Sequence, residues 1–197
     1  DSPARRAQHA VTIPYFEFRE VLAVRTGDQH RFRRLADLRG HRVATLGATL
    51  AYDILTAARE STGLIAVSYD DDVHPYSDLM AGRVDAVLLD HIIAQRALAR
   101  ALGGGFVIQP EPVALGRYVG VLARTDTALR DSVNAVLREG MRNGTLERIF
   151  RRWHVWDQGE GGLFTRVLRP AATERHAAAN APGAARAYLP ALLRAAG

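Results

Sequence analysis

No cysteine occurs among the 197 residues and no lysine either, so all 26 basic side chains are arginine. The first absence removes disulfides, thiolate nucleophiles, Cys-based zinc sites and iron–sulfur clusters, and leaves the redox compartment open. The second removes a lysine-bearing phosphate loop, a Schiff-base lysine and a lysine general base. No stretch approaches the roughly 18 consecutive apolar residues of a membrane-spanning helix, and Asp1-Ser-Pro-Ala-Arg-Arg6 is not a secretory signal. The expectation is a soluble chain from which a signal has been removed, or a piece of a longer one.

The net charge is +5 and unevenly placed. Residues 1–116 carry 13 Arg against 14 Asp and Glu, whereas residues 117–197 carry 13 against 7. A basic end beside a neutral body suits an anionic surface such as lipid head groups. Aromatic residues do not interleave with the arginines as base stacking needs, so no nucleic-acid partner is expected.

Between Glu17 and Glu111 short β-branched runs alternate with helical patterns. The expected strands are Val21–Arg25, Arg42–Leu46, Ile65–Tyr69, Asp85–Leu89 and Phe106–Gln109. The helices between them are Phe32–Leu38, Thr49–Ser61, Tyr76–Ala81 and His91–Leu102, closed by Gly40, Gly63, Gly82 and Gly103-Gly104-Gly105. This alternation predicts an α/β lobe around a largely parallel sheet, with ligands beyond the carboxyl ends of the strands. A further strand, Tyr118–Arg124, precedes two helices, Thr127–Asn143 and Thr145–Trp153. From Asp157 onward, Gly, Pro and Ala read as a linker, ending in an amphipathic stretch, Tyr188–Ala196.

Nothing argues for catalysis. The seven histidines, His9, His30, His41, His74, His91, His154 and His176, never fall three to five apart, so no helix face offers a paired metal site, and no serine stands in a nucleophile elbow. No cofactor, metal or catalytic residue is expected.

Binding is better served. Leu46-Gly47-Ala48-Thr49 joins a strand to a helix, directing free N–H groups and the positive helix end above the sheet, where an anion binds. Thr49 reads equally as an N-cap. Asp90 ends the strand Ala86–Leu89, where a carboxylate suits an ammonium group, and it too reads as an N-cap, of the helix beginning at His91. Arg5 alone is uninformative.

The order of Ser2-Pro-Ala-Arg5, Pro14-Tyr15, Leu35-Ala-Asp-Leu-Arg-Gly40-His-Arg-Val43, Gly82-Arg-Val-Asp-Ala86 with Asp90, Tyr118-Val-Gly-Val121 and Asn143-Gly-Thr-Leu-Glu147 before Phe150 and Trp153 carries more. Over residues 2–156 it resembles the bacterial extracytoplasmic solute-binding proteins of the polar amino acid type, family 3. The resemblance implies a periplasmic-binding-protein-like type II fold, a doubly wound lobe with a second, incomplete lobe. Residues 1–16 would end lobe one and enter the first crossover, 17–113 form a complete lobe two, 114–156 return to lobe one, and 157–197 form the linker. It further implies that the front of lobe one lies outside these residues.

Carried over residue by residue, the resemblance makes Arg5 and Thr49 the grip on an amino acid's α-carboxylate and Asp90 the partner of its α-ammonium, with Leu46 and Leu50 as further ligand-binding positions. Ala48-Thr49-Leu50 replaces the family's usual Gly-Thr-Thr or Gly-Ser-Thr, one hydroxyl fewer. The implied function is the substrate-binding component of an amino acid ABC importer, periplasmic or extracytoplasmic, with permease subunits as partners. The segment Tyr188–Gly197 is similar to the start of such permeases, so a fused permease and membrane proximity are also expected. A sensor domain or a cyclohexadienyl-dehydratase-like enzyme are the alternatives on the same scaffold.

Overall fold

A computed structural model describes residue 1 and residues 3–101 and 104–169. The stretch Tyr188–Ala196, most of the expected linker and part of the Gly103 run lie outside the described residues. The chain begins with helix α1 (Pro3–Gln8) and a short strand β1 (Ala10–Val11), then the long strand β2 (Phe16–Arg25). Strand β3 (Arg42–Leu46), helix α2 (Leu50–Thr62), β4 (Ile65–Tyr69), α3 (His74–Met80), β5 (Ala86–Asp90), α4 (His91–Arg100) and β6 (Phe106–Ile108) follow. Strands β7 (Ala114–Tyr118) and β8 (Val121–Leu122) and helices α5 (Thr127–Arg142), α6 (Thr145–Arg152) and α7 (Gln158–Leu168) come next among the described residues.

The main sheet has the order β4-β3-β5-β2-β6, with β7 beside the first half of β2. Period-two alternation along β2 and β5 explains its two covered faces. Val21, Ala23, Val87 and Leu89 enter one cluster with Tyr76 and Leu79 of α3 and Ala94 of α4. Leu22, Val24, Ala86 and Leu88 enter the opposite one with Ala51 and Leu55 of α2. Fully burying a side chain such as Leu22 or Leu88 contributes ~1.5–3 kcal/mol. The runs Val21–Val24 and Ala86–Leu89 are therefore apolar throughout, as a sheet with helices on both faces requires.

The sheet is less parallel than the alternation predicts. Only β3 with β4 and β3 with β5 run parallel; β2 is antiparallel to β5, β6 and β7. Strand β2 enters the sheet from the opposite end, and a βα repeat fixes direction only within consecutive units. Phe32–Leu38 is not a helix but a turn ending in a 3-10 segment, Leu35–Leu38, whose start is held by Asp37 accepting from the N–H groups of Arg33 and Arg34.

The expected strand Tyr118–Arg124 is divided. Tyr118 ends β7, and beyond Gly120 the chain pairs Val121–Leu122 with β1 in a separate two-stranded sheet. The expected linker begins with helix α7 instead. Gly159, Gly161 and Gly162 make this segment a poor helix by propensity. Asp157 caps it through Gly159 N–H, and burial of Leu163 and Phe164 against Met141 of α5 supplies what propensity lacks.

Helix α7 also fastens onto the first half of β2. Both carboxylate oxygens of Glu160 accept from Glu17 N–H at 3.2 and 3.3 Å, Arg19 pairs with Asp157 at 2.6 Å and Arg166 with Glu17 at 2.8 Å. Glu160 is buried, and burial is the leading cause pushing its carboxyl up to about 7.

Candidate functional site

A cavity of about 300 Å³ opens at the end of the sheet where β3 and β5 finish. Its wall includes Thr49 and Leu50 at the start of α2, Asp90 at the end of β5, Arg5 on α1, and Glu20 and Tyr118 from the paired strands β2 and β7. Four of the five residues singled out in the sequence thus share one wall. Leu46 is not among the lining residues: its side chain packs onto the core beside Val87 and Leu89, and only its carbonyl serves the turn.

That carbonyl accepts from the Thr49 hydroxyl at 2.7 Å, and Thr49 Oγ1 in turn accepts from Tyr52 N–H at 3.2 Å. Thr49 is therefore an N-cap whose proton is committed to the turn. Ala48 sits in the left-handed region at φ 56°. A Cβ there costs on the order of 1 kcal/mol, strain held in the loop that borders the cavity.

Asp90 also caps. Its Oδ1 accepts from Ile93 N–H at 2.9 Å and its Oδ2 from the Tyr118 hydroxyl at 2.6 Å. Each oxygen keeps a further lone pair, since a carboxylate offers about four acceptor sites. Burial, followed by the bond to Asp90, pushes the Tyr118 phenol far above its ordinary range, so it stays a donor.

The Tyr118 ring stacks on Phe16 at 5.7 Å and on Phe18 at 4.5 Å, which makes the β2–β7 side of the cavity aromatic. Gly116 permits this approach. A Cβ at Gly116 would stand 2.1 Å from Phe18 Cζ. Gly116→Ala is expected to displace the Phe18 ring and cost roughly 1–3 kcal/mol, read as a lowered Tm; an unchanged Tm would refute this account of the wall.

The residue that local pattern did not single out is Glu20. It is 3% exposed, lies directly opposite Asp90 in the β2–β5 ladder, and lines the cavity. Ala51 N–H, one of the unpaired donors of α2's first turn, bonds its carboxylate. The protein's own acid therefore takes part of the anion site expected at that helix start. Burial first and the Asp90 charge second push Glu20 up to about 7. The available signal is one acid among three charged residues, Glu17, Arg19 and Glu20, that precede the apolar run Val21–Val24, a position where the side-chain alternation alone does not say what it faces.

Among the described residues no group of three or more His, Asp or Glu is placed to hold a metal ion, and no helix is long and apolar enough to cross a membrane.

The family model of the bacterial extracellular solute-binding proteins, family 3, matches residues 1–155. The chain belongs to this family. Similar family relatives include the histidine-binding periplasmic protein of Salmonella typhimurium, 28% identical over 130 residues, covering 62% of this chain and 50% of that protein. The L-cystine-binding protein TcyJ of Escherichia coli is 26% identical over 153 residues, 77% of this chain and 56% of its own. The chain thus spans about half the length of the curated relatives it matches. A mutant of ArgBP from T. maritima superposes with a TM-score of 0.71 at 28% identity, over 79% of this chain and 66% of that one. ArtJ from Geobacillus stearothermophilus has a TM-score of 0.71 at 21% identity, over 83% and 70%, a likeness of fold. The solute-binding fold of the family is a type II periplasmic binding protein, and here its second lobe is incomplete.

Proposed function

We propose that this chain is the ligand-binding part of a substrate-binding component of an amino acid ABC importer, working outside the cytoplasmic membrane without catalysing a reaction. The observation that carries the reading is the charge arrangement of one cavity: the cationic Arg5 enters from α1 and the anionic Asp90 from β5. A zwitterionic head, carboxylate toward Arg5 and the start of α2, ammonium toward Asp90, complements that wall. A guanidinium fork binds a carboxylate bidentately, with charge-assisted bonds of about 1.5–3 kcal/mol each.

The paired strands β2 and β7 link the main sheet to the body formed by α1, β1, β8 and the C-terminal helices. Closure about these crossovers around a solute would present a distinct surface to permease subunits. A permease fused beyond Gly197 and a basic segment approaching the membrane belong to the same proposal.

Calorimetry with L-histidine, L-arginine and L-cystine tests it. At least one is expected to bind, and Arg5→Ala is expected to weaken that binding by about 10- to 150-fold, the equivalent of one charge-assisted bond. No binding of any of the three, or undiminished affinity in the variant, overturns the assignment.

A further inference from the structure

We propose that Glu20 is a second ligand-binding carboxylate and that, with Asp90, it forms a cup for a primary ammonium group of the bound solute. The proposal rests on the reading of the cavity as an amino acid site and extends it to a residue outside the expected set.

The geometry begins with the ladder. Residues directly opposite in an antiparallel pair project from the same face with Cβ atoms about 4.5–5.5 Å apart, and like charges there repel. Glu20 and Asp90 are such a pair, and both line the cavity. A cation placed between them turns the repulsion into a binding site.

The hydrogen-bond inventory points the same way. Ala51 N–H anchors the Glu20 carboxylate, while its Oε2 is buried with no hydrogen-bond partner among the described residues. An orphaned carboxylate oxygen is costly, and an ammonium N–H from a solute would relieve it. Asp90 has one bond on each oxygen and spare lone pairs on both. An ammonium's three donors match Glu20 Oε2 and the two Asp90 oxygens; a quaternary ammonium or a hydroxy acid cannot supply that number.

Proton exchange follows from the surroundings. The groups beside Glu20 are Asp90 from β5 and the Tyr118 hydroxyl from β7, and the Tyr76 hydroxyl of α3 feels the charge of both acids. Around the same cavity stand Asp1 and Arg5 at the chain start, Asp53 of α2 and Arg117 of β7, while the His91 ring on α4 accepts from Arg19 N–H. Both tyrosines are held neutral by burial and by the two acids. Glu20, pushed up to about 7 in the free protein, therefore exchanges its proton for the solute's ammonium, so binding releases a proton and tightens as pH rises.

The test is calorimetry with L-histidine, L-arginine and L-cystine from pH 5.5 to 8.5 in buffers of different ionisation heat, on wild type and Glu20→Gln. Wild type is expected to bind roughly tenfold tighter at pH 8 than at pH 6 with proton release. Glu20→Gln is expected to keep only the pH dependence of the amino acid's own titration, such as that of the L-histidine imidazole near about 6.5, to release fewer protons than wild type, and to bind at least tenfold more weakly at pH 8. Binding by Glu20→Gln with the wild-type affinity and pH profile overturns the proposal while leaving the amino acid site standing. No binding to wild type overturns the site and this proposal together. Should the variant not fold, carbon NMR titration of the Glu20 carboxyl in wild type decides: a midpoint that one of these amino acids lowers supports the cup, and a midpoint it leaves unmoved overturns it.

Discussion

Replacing Asp90 with alanine is expected to abolish amino acid binding, with a loss of at least 100-fold, because the proposed ammonium loses two or more charge-assisted bonds of about 1.5–3 kcal/mol each. The same substitution removes the acceptor for Ile93 N–H at the start of α4 and for the Tyr118 hydroxyl. Loss of an N-cap costs about 1 kcal/mol, so Asp90→Ala should also lower Tm. Asp90→Asn separates the two roles. Its amide oxygen still accepts at the helix start, while the charge is gone. Near-wild-type Tm with binding still lost is the expected outcome, and calorimetry showing undiminished affinity in Asp90→Asn would sink the ammonium assignment.

The second large effect is on stability against pH. Glu20 and Glu160 are both pushed from the ordinary 4.5 up to about 7, chiefly by burial. In the folded chain each holds a proton that the unfolded chain releases near 4.5, so the folded state binds more protons between the two values. Stability is then greatest below about 4.5 for these groups and is lost as pH rises through about 7, by up to roughly 3 kcal/mol per carboxyl. Asp85 and Asp157 act oppositely. Their carboxyls are held below 3.8 by Arg42 N–H, His41 and Arg25 in one case and by Arg19 and the N–H groups of Gly159 and Glu160 in the other, against the opposing effect of burial. They contribute above 3.8 and lose that contribution at lower pH, leaving the most stable region between the two windows. Glu160→Gln keeps an acceptor for Glu17 N–H and removes the ionisation. It is expected to be about as stable as wild type at pH 4.5 and about 2–3 kcal/mol more stable at pH 8, measured by thermal unfolding across that range. A variant less stable than wild type at pH 8 would show that the Glu160 carboxylate is satisfied when charged.

Sequence and structure agree where a few neighbouring residues decide the local fold. Arg42–Leu46 and Ile65–Tyr69 are strands at those bounds, and Thr49 and Asp90 cap the helices that follow them. A cap needs only a side-chain oxygen and an N–H three residues on. The segment after Asp157 was illegible for the converse reason. Its glycines argue against a helix, and the contacts of Leu163, Phe164 and Glu160 that impose one lie far away in sequence. Leu46 fails as a lining residue because strand alternation turns its side chain into the core while its carbonyl serves the loop.

The sequence by itself determined the chemistry available, arginine as the sole fixed cation and no thiol or lysine. It also determined the α/β alternation and the strand-to-helix junctions at which Thr49 and Asp90 stand. Only the tertiary structure decided that β2 runs against its neighbours, that α7 grips β2 through Glu160, and that Glu20 faces Asp90 across seventy residues of chain. Capping and periodicity act over one turn or one strand, so they are written in neighbouring residues. Register, burial and the repulsion between two acids exist only after distant strands have paired, and no local pattern records them.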